Sequence, residues 1–239
     1  MIIEANLKDY KELNEEIRSS NESEITINKC FGQRYIGDAL SDKKITINGT
    51  PGNALGTYLN GADIIVNGNA QDAVGDTMND GTITINGNSG DATGYAMRGG
   101  KIFVKGDIGY RAGIHMKAYK EKQPVLVVGG KAGSFLGEYQ AGGTIIILGL
   151  DSNGAPPIAN FCGTGMHGGR IFLRCTTAPN LHKQVIVKEA EKEDLDTIAP
   201  ILNEFCEKFG YNCKDMLNST YYLVTPDTKN PYKQMYVHN

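Results

Sequence analysis

Three consecutive stretches, ITINGTPGNALGTYLNGAD (Ile45–Asp63), IIVNGNAQDAVGDTMNDGT (Ile64–Thr82) and ITINGNSGDATGYAMRGGK (Ile83–Lys101), align with one another without a gap. Each opens on two apolar side chains separated by one residue, which puts both on one face of a short strand. A glycine closes the strand, and a second glycine stands seven residues before the end of the unit. Reading outward from this core, strand starts fall at Ile25, Ile45, Ile64, Ile83, Ile102, Val125, Ile145 and Ile171. The intervals between them are 20, 19, 19, 19, 23, 20 and 26 residues. A period near nineteen with one strand per unit predicts a mainly β solenoid, each unit burying its apolar face by stacking on the last.

The 30 glycines of this 239-residue chain are therefore periodic rather than low in complexity. Gly37, Gly56, Gly75, Gly94, Gly113, Gly137 and Gly163 recur at one place in the unit, where the chain must turn a corner. Glycine enters positive φ without a Cβ clash, so these seven are expected to be structural corner residues. Three residues after each comes an apolar core residue (Leu40, Leu59, Met78, Met97, Met116, Met166), with Gln140 the departure. Asn28, Asn48, Asn67 and Asn86 share one register position and are expected to form a stacked amide ladder. The stretch GTGMHG (Gly163–Gly168) matches the dinucleotide fingerprint in letters. That motif needs a helix opening on its glycines, whereas Ile171–Cys175 reads as a strand. It is a corner like its neighbours.

The residue between the two core positions of each strand should face outward. It reads Thr26, Thr46, Ile65, Thr84, Phe103, Leu126, Ile146 and Phe172, turning apolar in the later units. An apolar row of that size calls for cover. Partial cover by the chain's own C-terminal segment is expected, with a partner surface beside it formed by Phe103, Leu126, Ile146 and Phe172 together with Arg111 and His115. The ends do not repeat. Residues 1–24 read as a helical cap, because Asp9 and Glu12 fit a capping box and Tyr10, Leu13 and Ile17 share a face. Residues 25–175 form the repeat, and 176–239 read as a helix, which Pro200 should begin or kink, then the strand STYYLVTP. A docking tail with Tyr232 and Tyr236 ends the chain.

Composition narrows the function. A net charge of 24 − 27 = −3 argues against nucleic acid as partner. No apolar run has the length of a membrane span and the first residues do not read as a signal peptide, so a cytoplasmic protein is expected. The five cysteines, Cys30, Cys162, Cys175, Cys206 and Cys213, have neither C-x-x-C nor iron–sulfur spacing and read as reduced structural thiols. His115 and His167 sit at equivalent corners, but no third ligand shares their register. Catalytic, cofactor and metal residues are accordingly expected to be absent. A hexapeptide acyltransferase is excluded by register, since steps of six from Ile45 reach Pro51 and Thr57. A stand-alone small-molecule binding solenoid using Arg98, Arg111 and His115 stays open.

The recurring glycine, alanine and glycine at Gly68, Ala73 and Gly75, and again at Gly87, Ala92 and Gly94, resemble the GXGXG domain that ends the large subunit of glutamate synthase. The likeness spans residues 25–175 and is strongest over 45–144. It implies a right-handed parallel β-helix of about seven coils, one per repeat unit, with short helical segments at both ends. It also implies a supporting role, without bond chemistry in this chain. Glutamate synthases turn glutamine, 2-oxoglutarate and two electrons into two glutamates. The expected partners are a glutaminase (a class-II amidotransferase) and an FMN-containing synthase polypeptide. FMN and iron–sulfur clusters would reside in those partners. Self-association into a homo-oligomer is also allowed. A similar β-helix ends the C subunit of formylmethanofuran dehydrogenase, which is the alternative assembly. Insertions at 118–123 and 150–160 depart from the pattern.

Overall fold

Nine short strands pair side by side in the order in which the chain makes them, and all eight pairings between them are parallel. They are β1 (Ile2–Glu4), β2 (Glu24–Phe31), β3 (Lys44–Thr50), β4 (Asn60–Asn67), β5 (Asp80–Ile85), β6 (Lys101–Val104), β7 (Val125–Val128), β8 (Ala141–Ile147) and β9 (Gly168–Arg174). Two further strands, β10 (Val185–Glu189) and β11 (Tyr221–Pro226), extend the same sheet antiparallel, in the order β9-β11-β10. Three helices complete the chain: α1 (Tyr10–Ser19), α2 (Lys192–Phe209) and α3 (Cys213–Leu217). The computed structural model describes residues 1–227. The expected docking tail with Tyr232 and Tyr236 lies outside the described residues.

The architecture is thus mainly β, one open eleven-stranded sheet with few helices. In-register pairing stacks Ile25, Ile45, Ile64, Ile83 and Ile102 into a single buried column, continued by Leu126, Ile145 and Ile171. A second column of parallel bridges joins Ala70, Ser89, Ile108, Ala132 and Ile158, so the units also meet away from the sheet.

The asparagines form their ladder. Nδ2 of Asn48 donates to Oδ1 of Asn28 at 2.8 Å, Asn67 to Asn48 at 2.8 Å, and Asn86 to Asn67 at 3.1 Å. Asn28 passes the chain on to the Glu4 carboxylate at 2.8 Å, which ties in β1 and helps hold that carboxyl below its usual range. Replacing Asn67 with alanine breaks two links at once. A loss of about 1–2 kcal/mol is expected in urea unfolding, since each exposed link is worth only about 0.5–1 kcal/mol. A loss indistinguishable from that of a surface Asn→Ala change would mean that the ladder stabilises nothing.

The chain ends differ from expectation in part. α1 starts on Asp9, whose carboxylate accepts from the Lys11 backbone N–H at 2.9 Å, and buries Leu13 and Ile17. The strand β1 before it was not anticipated, nor was β10. α2 begins at Lys192 and runs through Pro200 rather than starting there.

The outer apolar row needs a correction at one position. Phe103 pairs with Val127, not Leu126, and Val127 with Ile146. Leu126 pairs with Ile102 and lies in the buried column. The run Val125–Val128 is apolar throughout, so alternation cannot say which face is which. The 118–123 insertion forms a small hairpin, with Tyr119 opposite Lys122, and moves the strand start by one residue. Phe103, Val127, Ile146 and Phe172 are fully buried beneath Ile198, Leu202 and Phe205 of α2. They belong to a second core between sheet and helix and present no face to a partner.

Candidate functional site

The surface feature that stands out begins as a backbone pattern. In every unit, three residues two apart take left-handed φ, with the corner glycine in the middle. Examples are Ala54 (61°), Gly56 (64°) and Tyr58 (53°), then Ala92 (56°), Gly94 (73°) and Ala96 (51°). Left-handed conformation costs a non-glycine residue roughly 1–2 kcal/mol, so thirteen such positions need compensation. Hydrogen bonds to the neighbouring units supply it. The first and third residues donate to the next unit, as Ala92 does to Tyr110 O (2.8 Å) and Ala96 to Ile114 O (2.8 Å). The glycine donates backwards, Gly94 to Val74 O at 2.7 Å. Since all three share the φ, φ alone does not explain the glycine. A Cβ there would point into the core, 2.4–2.7 Å from an isoleucine Cδ1 at Gly37, Gly56, Gly75, Gly113 and Gly137. At Gly163 the atom met is Val185 Cγ1, at 2.9 Å.

The flanking left-handed residues bear side chains, and down the stack these line up in two columns. The first reads Tyr35, Ala54, Ala73, Ala92, Arg111, Phe135 and Phe161. The second reads Ala39, Tyr58, Thr77, Ala96, His115, Tyr139 and Gly165. From Arg111 and His115 onward both carry aromatic or basic side chains, until the second column ends on Gly165. Phe135 stacks on Phe161 (centroids 4.8 Å, 27°) and meets Tyr110 edge-on (5.4 Å, 75°). The Arg111 guanidinium lies over Tyr110 (5.0 Å) and Phe135 (5.4 Å), while its Nε contacts the Glu138 carboxylate at 3.2 Å. His115 stacks on Tyr139 (5.2 Å, 11°) and takes the Tyr95 edge (5.9 Å). Phe161 stays 57% exposed and Tyr110 40%.

The patch gathers exposed aromatic rings around one anchored guanidinium. Arg111 is already fixed by a carboxylate and two rings, and exposed aromatics with an anchored arginine are what protein interfaces concentrate. No three His, Cys, Asp or Glu side chains are grouped to hold a metal among the described residues. His167 turns its Nδ1 to Gly165 O at 3.2 Å. Burial pushes the thiols of Cys30 and Cys175 up to about 11, and those of Cys162 and Cys206 to about 12, so all four stay protonated at neutral pH. Arg98 lines a separate cleft with Tyr58, Asn60, Asn79, Tyr119 and Lys122.

Of the residues singled out in the sequence, the structure brings Arg111 and His115 to this patch and takes Phe103, Leu126, Ile146 and Phe172 into two different cores. Sequence reading missed Tyr95, Tyr110, Phe135, Glu138, Tyr139 and Phe161. For Phe135, Tyr139 and Phe161 the signal was present: aligning units on the corner glycine and reading two residues to either side displays both columns, whereas Tyr95, Tyr110 and Glu138 stand one or three residues from it.

Among the described residues, no helix is long and apolar enough to cross a membrane. The family model described as GXGXG motif matches residues 3–227. A Methanocaldococcus jannaschii protein described as "Uncharacterized protein MJ1350" is 45% identical over 250 residues, covering 99% of this chain and 96% of its own length. The chain belongs to the GXGXG motif family, as the glycine–alanine–glycine spacing led one to expect.

Proposed function

From that membership we propose that the chain winds as a right-handed parallel β-helix and serves as a non-catalytic, cytoplasmic structural subunit of a glutamate synthase-like complex. It would brace a glutaminase against an FMN-containing synthase, and FMN and iron–sulfur clusters would reside in those partners. Two features support the winding. Strands 19–26 residues apart pair in parallel and in chain order, and parallel crossovers within one sheet are right-handed in about 98% of cases. The observation that carries the functional reading is the aromatic column at the corner. Stacked rings left open to solvent, with an arginine held rigid over them, form a pre-organised contact surface.

The test is affinity capture from the source organism with the tagged full chain, followed by identification of what comes with it. Recovery of a class-II amidotransferase and a flavin-dependent synthase is expected. The double variant Arg111→Ala/Phe161→Ala should lose at least tenfold in captured partner, while its urea midpoint stays close to the wild type because both side chains are at the surface. Capture of formylmethanofuran dehydrogenase subunits in their place would overturn the assignment. Undiminished capture by the double variant would remove the aromatic column from it.

A further inference from the structure

At the far end of the parallel stack, where β9 ends, a cavity of about 350 Å³ opens between Gly154, Arg174–Thr176 and Asn218–Thr220. Arg174 is its one charged lining residue, and its partners among the described residues are Ser219 and Leu148, neither of them a carboxylate. A partly buried guanidinium is ordinarily matched by a counter-ion, because its desolvation is costly when uncompensated.

The side chain is held in place. Its Nε donates to Ser219 Oγ at 2.9 Å and its Nη1 to Leu148 O at 3.2 Å. Ser219 is in turn fixed by donating to Asp215 O at 2.8 Å. Of the five guanidinium N–H groups, two are thus used, and three have no protein acceptor among the described residues. Thr220 and Asn218 line the same cavity, and neither side chain has a hydrogen bond among the described residues. Thr176, by contrast, already donates to Gly154 O at 3.2 Å. Cys175 contributes no nucleophile, since burial raises its thiol to about 11. The cavity is therefore lined by one fixed positive charge and neutral residues, with no carboxylate among them.

We propose that this cavity is a binding site for a small oxyanion, a carboxylate or a phosphate group, with Arg174 as the charged anchor and Thr220 and Asn218 as neutral donors. The planar fork of arginine suits two oxygens of either group. The site is separate from the aromatic column and does not depend on the complex proposed above.

Titration calorimetry of the full chain with succinate and, separately, inorganic phosphate, both at constant ionic strength in chloride, tests it. One of the two anions should bind saturably at one site per chain, and which one does identifies the group recognised. Arg174→Gln should weaken that binding tenfold or more. Because Arg174 also braces Leu148 and Ser219, Thr220→Val provides a milder variant that keeps the guanidinium. It should weaken binding severalfold with an unchanged circular dichroism spectrum. Arg98→Gln removes another arginine that has no carboxylate partner among the described residues but stands exposed, and it should leave binding unchanged. Absence of saturable binding by either anion would overturn the proposal. So would equal affinity in Thr220→Val, or loss of binding on Arg98→Gln alone.

Discussion

Replacing Gly75 with alanine should cost about 2–5 kcal/mol in urea unfolding, whereas Ala73→Gly, two residues earlier, should be neutral or stabilising by up to about 1 kcal/mol. The two residues have nearly the same backbone, φ of 67° and 58°. The unfavourable left-handed conformation contributes about 1–2 kcal/mol to the Gly75 variant. Packing supplies the remainder. The new Cβ would stand 2.4 Å from Ile102 Cδ1, with Ile83 Cδ1 at 3.6 Å on the other side. Ile102 is fully buried in a column continuous above and below it, so it has little room to retreat. Forcing extra carbon into such a core costs about 1–3 kcal/mol. Ala73→Gly relieves the backbone term and returns part of it as added entropy of the unfolded chain. Gly94 provides the internal control. There the unit ahead places Leu126 where others have isoleucine, and a Cβ meets only Met97 Sδ at 3.2 Å before Leu126 at 3.8 Å. Gly94→Ala should therefore cost little beyond the backbone term. Equal losses at Gly75 and Gly94 would show that conformation, not packing, selects the corner glycine.

The contrast also explains how much of this molecule could be read in advance. A period of nineteen is visible because each unit solves one packing problem, and solving it again requires the same residue types at the same places. The isoleucine column, the asparagine ladder and the corner glycines are all of this kind. Handling of the outer face is different. It depends on which residue of Val125–Val128 points inward, and an all-apolar run of that kind carries no alternation to decide it. Pairing with β6 decides it instead, a contact made across an insertion of variable length. β1 was unreadable for a related reason. Three residues have no period of their own, and they become a strand only because β2 presents an unpaired edge. The aromatic column was legible in principle. Its residues differ in type from unit to unit, and only their shared distance from the glycine unites them.

The cover over the outer face sets the second large effect: Phe205→Ala should destabilise the chain by about 3–5 kcal/mol, the usual cost of deleting a buried phenylalanine. Phe205 is fully buried between sheet and α2. Its ring packs edge-on against Phe209 (4.8 Å, 63°) and parallel to Tyr211 (5.8 Å, 6°), and its edge comes close enough to the backbone that a Cβ on Gly129 would lie 3.2 Å from Cζ. Truncation leaves a cavity that rigid strands on one side cannot close. Polar contacts at the rim cannot compensate. The Lys101–Glu204 pair (2.5 Å) and the Arg170–Thr197 hydrogen bond (3.1 Å) are substantially exposed to solvent, where such contacts are worth about 0–1 kcal/mol each. Adding Leu202→Asp to Phe205→Ala should go further and lift α2 from the sheet, because a carboxylate in that apolar seam has no partner to offset its desolvation. The freed face carries Phe103, Val127, Ile146 and Phe172, a contiguous apolar row that should bind a hydrophobic dye while the parallel stack, whose core lies on the opposite face, keeps its β circular dichroism. A loss below about 1 kcal/mol for Phe205→Ala, or no gain in dye binding for the double variant, would mean that α2 is not what keeps this row from water.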